Sequence, residues 1–508
     1  MLTKSDPDQI QNFLVDASLM QGGRAAEVLF PETTEEVAAI LADASRARTP
    51  VTVAGAGTGI VGGRIPLGGL VLATNRLDRI EKIVDAEQGG WAVAGAGVML
   101  ADFQGAVNER GLIYPPDPTE WSCYLGGTVA TNASGARTFK YGPTRSFIRR
   151  LKIALATGDV IDLARGCAKA DESGRLRLEL TGGRSLEAQL PSYRMPATRK
   201  HAAGYYVAPG MDALDLFIGS EGTLGVITEV ETRLIEKPEG LLGGIVFFET
   251  EENLLAFVRE ARAASLATRR GNSSDGIDAR ALEYFDSESL HLLRGSYALV
   301  PEAVAGAVFF EQETTDETEE RLLTMWLALL ERHHVSLDDS WFATAERDQR
   351  ELREFRHRLP VLVNEWLAHH GQRKVSTDMA VPDEEFASML RFYRDALRES
   401  QLKYVIFGHI GDNHVHVNIM PRDDAEAARA REMYQKFVRR AVSVGGTISA
   451  EHGIGKLKRD YLRLLYSEEH LREMAALKRA FDPACILGRG NIFSEQLLST
   501  AMSEEGRV

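Results

Sequence analysis

Two short stretches in the second half of the chain concentrate side chains that bind metals and move protons. The first is Gly408-His409-Ile410-Gly411-Asp412-Asn413-His414-Val415-His416-Val417-Asn418, which follows an apolar run from Tyr404 to Phe407 and leads on to Met420. A strand sends alternate side chains to opposite faces, so His414, His416 and Asn418 share one face while Val415, Val417 and Ile419 share the other. Solvent exposure explains a single imidazole on such a strand, but not this group with His409 just ahead of it. The second stretch is Ser449-Ala450-Glu451-His452-Gly453-Ile454-Gly455-Lys456. Its Glu-His pair sits among small residues that suit neither a helix start nor a simple turn. Two imidazoles, His409 and His416, with the Glu451 carboxylate make a three-ligand site with an open fourth position. Catalytic Zn²⁺ uses such a set, and Mn²⁺ or Fe²⁺ accepts it.

The first half is rich in glycine loops. Val53-Ala54-Gly55-Ala56-Gly57-Thr58-Gly59-Ile60-Val61-Gly62-Gly63 follows a strand. Pro115-Pro116-Asp117-Pro118 leads into Gly126-Gly127-Thr128-Val129-Ala130-Thr131-Asn132-Ala133-Ser134-Gly135 and then Lys140-Tyr141-Gly142. The third is Ile218-Gly219-Ser220-Glu221-Gly222-Thr223-Leu224-Gly225-Val226-Ile227. Glycine has no Cβ, so backbone N–H groups can close on a pyrophosphate. The first loop is neither a G-x-G-x-x-G opening a helix nor a P-loop, and alone it reads equally as a surface turn. Three such segments with interleaved Ser, Thr and Asn point to an extended cofactor bed.

These groups need a frame. Thr33 and Glu36 form a T-x-x-E capping box before a helix with apolar Val37, Ile40, Leu41 and Ala44, between strands over 28–30 and 51–53. A strand over 91–94 passes through Gly95-Ala96-Gly97 into a helix stopped by Gly111, and a strand pair turns at Gly158-Asp159. Beyond residue 238 come charged amphipathic helices over 252–267, 315–334, 345–370, 383–401 and 423–444. Ile245-Val246-Phe247-Phe248-Glu249 and Ala307-Val308-Phe309-Phe310-Glu311, each ahead of a helix, form a weak repeat. It reads as a split βαβ sheet with helices on one face. The pattern divides the chain into 1–237, 238–444 and a tail, 445–508, that packs back at their junction.

The 508 residues hold 59 Lys+Arg and 73 Asp+Glu, a net charge of −14, with 44% hydrophobic and 26% charged residues. That composition folds, and the length asks for two or three domains. The acidic balance argues against nucleic acid or an anionic membrane as partner. Cys123, Cys167 and Cys485 are too scattered for a disulfide framework, an iron–sulfur cluster or a thiolate zinc site. No apolar run approaches the roughly 18 residues of a membrane span, and the polar start lacks the pattern of a signal peptide. The expectation is a cytoplasmic protein.

Taken in order, the loops and the two histidine segments resemble the vanillyl-alcohol-oxidase type of flavoprotein, which carries a PCMH-type FAD-binding domain. The resemblance is strongest to its FAD-linked 2-hydroxyacid dehydrogenases: D-lactate dehydrogenase, D-2-hydroxyglutarate dehydrogenase and the glycolate oxidase FAD subunit. It covers about residues 25–495. It implies an α+β chain: a PCMH-type FAD-binding domain of two α/β subdomains, a ferredoxin-like substrate (cap) domain, and a C-terminal helical segment completing the active site. Gly55, Ala56, Gly57, Thr58 and Gly59 are then expected to hold the FAD pyrophosphate. Pro116, Asp117, Gly126, Gly127, Thr131, Asn132, Ser134, Gly135 and Tyr141 are expected along the cofactor. Glu221, Gly225, Ile227 and Asn491 are expected to close over it. The loop from Gly55 to Arg64 contains no His or Cys, so the FAD is expected to be non-covalent.

The resemblance also places a divalent metal, Zn²⁺ first, on His409, His416 and Glu451, the catalytic base on His452 and a supporting role on Asn418. The chain departs from the family pattern in three places. Asn413 stands for a glycine and is the substitute that best tolerates positive φ. His414 stands for an Asn, which leaves a supporting role or an extra ligand open, and Ala450 replaces a glycine. A 2-hydroxy acid needs a cation for its carboxylate, and Arg offers a bidentate fork. Phe355-Arg356-His357-Arg358-Leu359-Pro360 resembles the family's L-R-E-x-I-P segment and points to Arg356, with Lys374 in second place. The implied activity is metal-assisted oxidation of a small, D-lactate-like 2-hydroxy acid to the 2-keto acid. His452 would take the hydroxyl proton, and the α-hydrogen would pass as hydride to flavin N5. Two other readings keep the fold: a redox-neutral transferase like alkylglycerone-phosphate synthase, and an electron-relay FAD subunit of a complex. The electron acceptor is unidentified, a homodimer is allowed, and the segment from Arg165 to Tyr206 has no readable role.

Overall fold

The T-x-x-E signal caps a helix. Thr33 Oγ1 accepts the Glu36 N–H at 3.2 Å, and Thr34–Ala47 ends on Arg48 in the left-handed region, φ 52°. Val37, Ile40, Leu41 and Ala44 are its buried side, as a period of 3.6 requires. The helix carries the chain from strand Glu27–Phe30 to strand Val51–Ala54. Leu70–Ala73 lies between these strands, parallel to both, and Leu2–Lys4 adds an antiparallel edge. The computed structural model describes residues 1–271 and 275–498, so residues 499–508 of the expected tail lie outside the described residues.

A second sheet runs Ile80–Ala86, Gly89–Gly95, Val226–Glu236, Ile148–Ala154, Val160–Ala164 and is antiparallel throughout. Leu112–Ile113 pairs with the far end of Val226–Glu236. The expected turn at Gly158 joins the last two strands, with Gly158 at φ +84°. The unread segment holds a hairpin, Arg175–Glu179 with Ser185–Gln189.

The third sheet draws on residues 240–419, in the order Trp341–Ala343, Gly240–Phe248, Gly306–Thr314, Ala279–Asp286, Tyr404–Gly408, His416–Ile419, Val375–Ser376. The two similar segments noted in the sequence are neighbours here, with Ile245 opposite Phe309. Val246, Phe248, Val308 and Phe310 pack with Phe257 of helix Glu251–Arg270 and Trp326 of helix Glu319–Arg332. Ile245, Phe247 and Phe309 pack with Leu352, Phe355 and Leu359 of helix Glu346–His369. Helices therefore cover both faces instead of the one expected, because both parities of these strands are apolar. Among the described residues no helix is long and apolar enough to cross a membrane.

Candidate active site

One cavity of about 680 Å³ runs from the glycine loops to the imidazoles. The first loop leaves strand Val51–Ala54 and turns at Gly57, φ +87°. A Cβ built on Gly55, Gly59 or Gly127 meets nothing within 4 Å, so the backbone here faces open space that a side chain would fill. Such a cradle fits an extended dinucleotide held by backbone N–H groups. Gly126 has a different reason: its Cβ would lie 2.5 Å from that of Ala96. Arg64 braces the loop, donating to Gly55 O at 3.0 Å and to Asn12 O. Burial lowers its pKa against the pull of Asp16.

Ala56, Thr58, Thr131, Ser134, Glu221, Gly225, Ile227 and Asn491 line the same cavity. Pro116, Asp117, Asn132, Gly135 and Tyr141, expected along the cofactor, are not among its lining residues and sit behind its wall. Asp117 is engaged by Arg137 at 3.2 Å and by the Trp121 indole at 3.0 Å. Asn132 Oδ1 accepts the Arg145 N–H at 3.0 Å, and Pro116 O accepts from Gln104 at 3.2 Å. A Cβ on Gly135 would meet Asp117 O at 1.9 Å, and Tyr141 packs on the main core. These residues shape the loops.

At the other end of the cavity, strands Tyr404–Gly408 and His416–Ile419 are antiparallel neighbours. The turn between them holds Asn413 at φ 53°, the conformation for which Asn replaces Gly most readily. The turn brings His409 and His414 beside His416, while Glu451 arrives from the loop after helix Asp424–Ser443. One ligand atom from each of His409, His414, His416 and Glu451 lies within 4.8 Å of the others. The three expected ligands thus converge, and His414 makes a fourth. His414 is fully buried, and neither of its ring nitrogens makes a well-formed hydrogen bond. Burial, aided by His416, pulls its pKa down to about 3. Against the effect of burial, Glu283 and Glu451 raise the His409 pKa to about 9, and a divalent cation beside Glu451 would take the place of that proton, with His414 and His416 as further nitrogen donors.

The carboxylate is held from several sides. Burial alone would raise the Glu451 pKa, but His409, Lys200 and His414 hold it well below the usual range. Lys200, itself buried, places Nζ 2.5 Å from Glu451 Oε1 and 3.0 Å from Gly135 O. Ser134 Oγ donates to the same Glu451 oxygen at 3.0 Å. Oε2 is left facing His416, 3.6 Å from Nε2.

His409 is oriented from behind. Its Nδ1 donates to Glu283 Oε1 at 2.6 Å, and Arg356 Nε donates to Glu283 Oε2 at 2.9 Å. Arg356, expected to grip the substrate, is thus engaged by a buried anion and is not among the cavity-lining residues. It acts on the site through Glu283, in the manner of a carboxylate that orients a metal-binding histidine. Lys374, the second choice, does line the cavity.

His452 also lines the cavity, its ring stacked on His416 with centroids 5.4 Å apart. Its Nδ1 lies 3.3 Å from Asp378 Oδ2. Asp378 is fully buried and gathers the loop: it accepts Ser449 Oγ at 2.6 Å, Lys458 Nζ at 2.5 Å, and the Glu451 and His452 N–H groups at 3.1 Å each. Burial lowers the His452 pKa to about 4 although Asp378 pulls the other way, so the imidazole is neutral at pH 7. Asn418 lines the cavity opposite Ser376. Glu221, at φ 54°, ties the cofactor loops to this one, accepting the Ile454 N–H at 2.7 Å and the Gly455 N–H at 2.6 Å. Asp378, Lys200 and Glu283 were not singled out as site residues in the sequence, because none belongs to a spaced motif.

Residues 25–164 match the family model described as FAD binding domain, and residues 249–492 match that of FAD linked oxidases, C-terminal domain. The chain is 30% identical over 495 residues to the glycolate oxidase subunit GlcD of Bacillus subtilis, covering 94% of this chain and 91% of that one. It is 28% identical to a D-lactate dehydrogenase of Anaerostipes hadrus, over 95% of this chain and 92% of the relative. A D-2-hydroxyglutarate dehydrogenase of Stutzerimonas stutzeri is 25% identical, over 96% of each. Among solved structures, an alkyldihydroxyacetonephosphate synthase matches with a TM-score of 0.65 at 15% identity, over 96% of this chain and 81% of its own, a likeness of fold.

Proposed function

This chain belongs to the FAD linked oxidases, and from that membership we propose that it oxidises a small D-2-hydroxy acid to the 2-keto acid with the help of a divalent metal. One observation carries the reading: a single cavity joins a backbone cradle for FAD to a neutral histidine and to His416 and Glu451, the two members of a four-ligand cluster that line it. The D configuration follows the D-lactate and D-2-hydroxyglutarate dehydrogenases among the relatives.

Bound FAD supplies the acceptor for two electrons. A divalent ion on His409, His414, His416 and Glu451, Zn²⁺ first, supplies Lewis acidity toward the substrate oxygens. The remaining work falls to the chain. His452 has Nδ1 committed to Asp378, which leaves Nε2 to accept the substrate's hydroxyl proton. Arg356 and Glu283 fix the His409 ring. Asn418 offers an amide at the cavity wall.

The test is anaerobic bleaching of the flavin band at about 450 nm by a panel of D- and L-2-hydroxy acids, repeated after chelation. At least one D-acid should bleach the band and yield its 2-keto acid, and chelation should slow the bleaching. If no acid bleaches the band, the reading falls.

A further inference from the structure

Lys374 is a cation without a partner. It forms no hydrogen bond or ion pair with any described residue, and its exposed surface opens onto the cavity it lines. The other basic groups near the site are engaged: Arg356 by Glu283 at 2.9 Å, Lys200 by Glu451 at 2.5 Å and Lys458 by Asp378 at 2.5 Å. Arg64 stands at the opposite end, on the glycine loop. Loss of water around the Lys374 ammonium lowers its pKa, a cost that a bound anion would offset.

The strand register says how far this cation stands from the chemistry. Ser376 is opposite Asn418, with His416 two residues to one side and Lys374 two residues to the other. All four line the cavity; Ser376, Asn418 and His416 do so from one strand face, and Lys374 lies just before strand Val375–Ser376. Four residues of strand put about 14 Å between the roots of Lys374 and His416. Side chains stand roughly perpendicular to a sheet, so the lysine, about 6 Å long, brings its ammonium no nearer to the His416 imidazole than roughly 8 Å, and that only when it leans fully along the strand. A carboxylate on the carbinol carbon lies within about 3 Å of the hydroxyl oxygen and falls short, whereas a carboxylate two or three carbons further reaches about 6 Å.

We propose that Lys374 is a distal anion subsite that selects 2-hydroxy acids with a second carboxylate at the far end of a four- or five-carbon chain. The proposal rests on the reading of the chain as a 2-hydroxyacid oxidoreductase and narrows its substrate. Ser376 and Asn418, lying between the two ends, flank the carbons that join the carboxylates.

The test compares the holoenzyme with K374M and K374R in anaerobic flavin reduction by lactate, malate and 2-hydroxyglutarate. The ratio of kcat/KM for diacid over monoacid should fall about 10- to 100-fold in K374M, the size of a lost charge-assisted hydrogen bond. The loss should sit in KM, and K374R should recover part of it. Glutarate, which has no hydroxyl to oxidise, should perturb the spectrum of bound flavin in the parent and not in K374M. An unchanged diacid ratio with active protein would overturn the subsite and leave the oxidation reading standing. Glutarate binding that depends on Lys374, with no acid reducing the flavin, would sink the oxidation reading and keep the subsite. Should K374M fail to retain FAD, K374R and the glutarate titration decide the matter.

Discussion

His452 and Asp378 form a pair in which one side chain can accept a proton and the other fixes which nitrogen does so. A buried carboxylate 3.3 Å from Nδ1 favours the tautomer with that nitrogen protonated, and replacing it with an amide removes the preference. H452A is expected to slow flavin reduction by substrate about 10²- to 10⁴-fold. D378N should fall in the same range, and the double variant should fall little further, because the two act as a unit. FAD content should hold in all three. Stopped-flow reduction checks this; a double variant that loses the product of the single effects would separate the two residues. The residues legible in the sequence were those in dense motifs: His409, His416, Glu451 and His452 lie within segments of polar residues spaced for a site. Glu283 and Lys200 are joined to the cluster only by the fold, since Glu283 meets His409 across 126 positions. A signal for Glu283 was present nonetheless. A carboxylate set directly between Leu282 and Tyr284-Phe285 in strand Ala279–Asp286 demands a buried partner, and Arg356 is one.

The loops owe their glycines to two opposite demands, and neighbouring positions separate them. In helix Leu125–Ala130, a Cβ on Gly126 would collide with Ala96, whereas one on Gly127 would project into open cavity. G126V should therefore destabilise the FAD-free protein by the roughly 1–3 kcal/mol typical of overpacking, and so lower its melting temperature. G127V should leave that temperature near the parent's, since Val is no worse than Gly in a helix, while cutting FAD content about tenfold or more. Thermal melts and flavin-to-protein ratios of both variants check this; equal FAD loss without a stability difference would remove the distinction. At this scale the amphipathic helices were legible because their apolar period is unambiguous. The layering of the third sheet was not, since strands such as Gly240–Phe248 are apolar on both parities and alternation then says nothing about which face is covered. The hairpin inside 165–206 escaped for a related reason: it is short, and its pairing rests on a turn at Gly183, φ +76°.

The site is assembled at a seam. The cofactor cradle comes from the loops before residue 228, His409 to Asn418 from the third sheet, and Glu451 with His452 from the loop beyond helix Asp424–Ser443. Contacts that hold that last loop against the first half therefore govern both stability and geometry. His201 is one. Its Nδ1 is 2.8 Å from Thr447 Oγ1 and its Nε2 is 3.0 Å from Ala203 O, while the neighbouring Ala202 N–H donates to Ser449 O at 2.9 Å. Burial pulls its pKa down to about 4, with the Ala203 carbonyl opposing. The unfolded chain binds this proton at about pH 6.5, well before the folded one does. The stabilisation is thus fully present above pH 6.5 and is lost as pH falls toward 4, amounting to about 3 kcal/mol. H201Q keeps a neutral hydrogen-bonding group that does not titrate. Its unfolding free energy should decline less between pH 7 and pH 4.5 than the parent's, by on the order of 2–3 kcal/mol. Urea melts at pH 7, 5.5 and 4.5 measure this, and parallel slopes for the two proteins would take His201 out of the seam's response to acid.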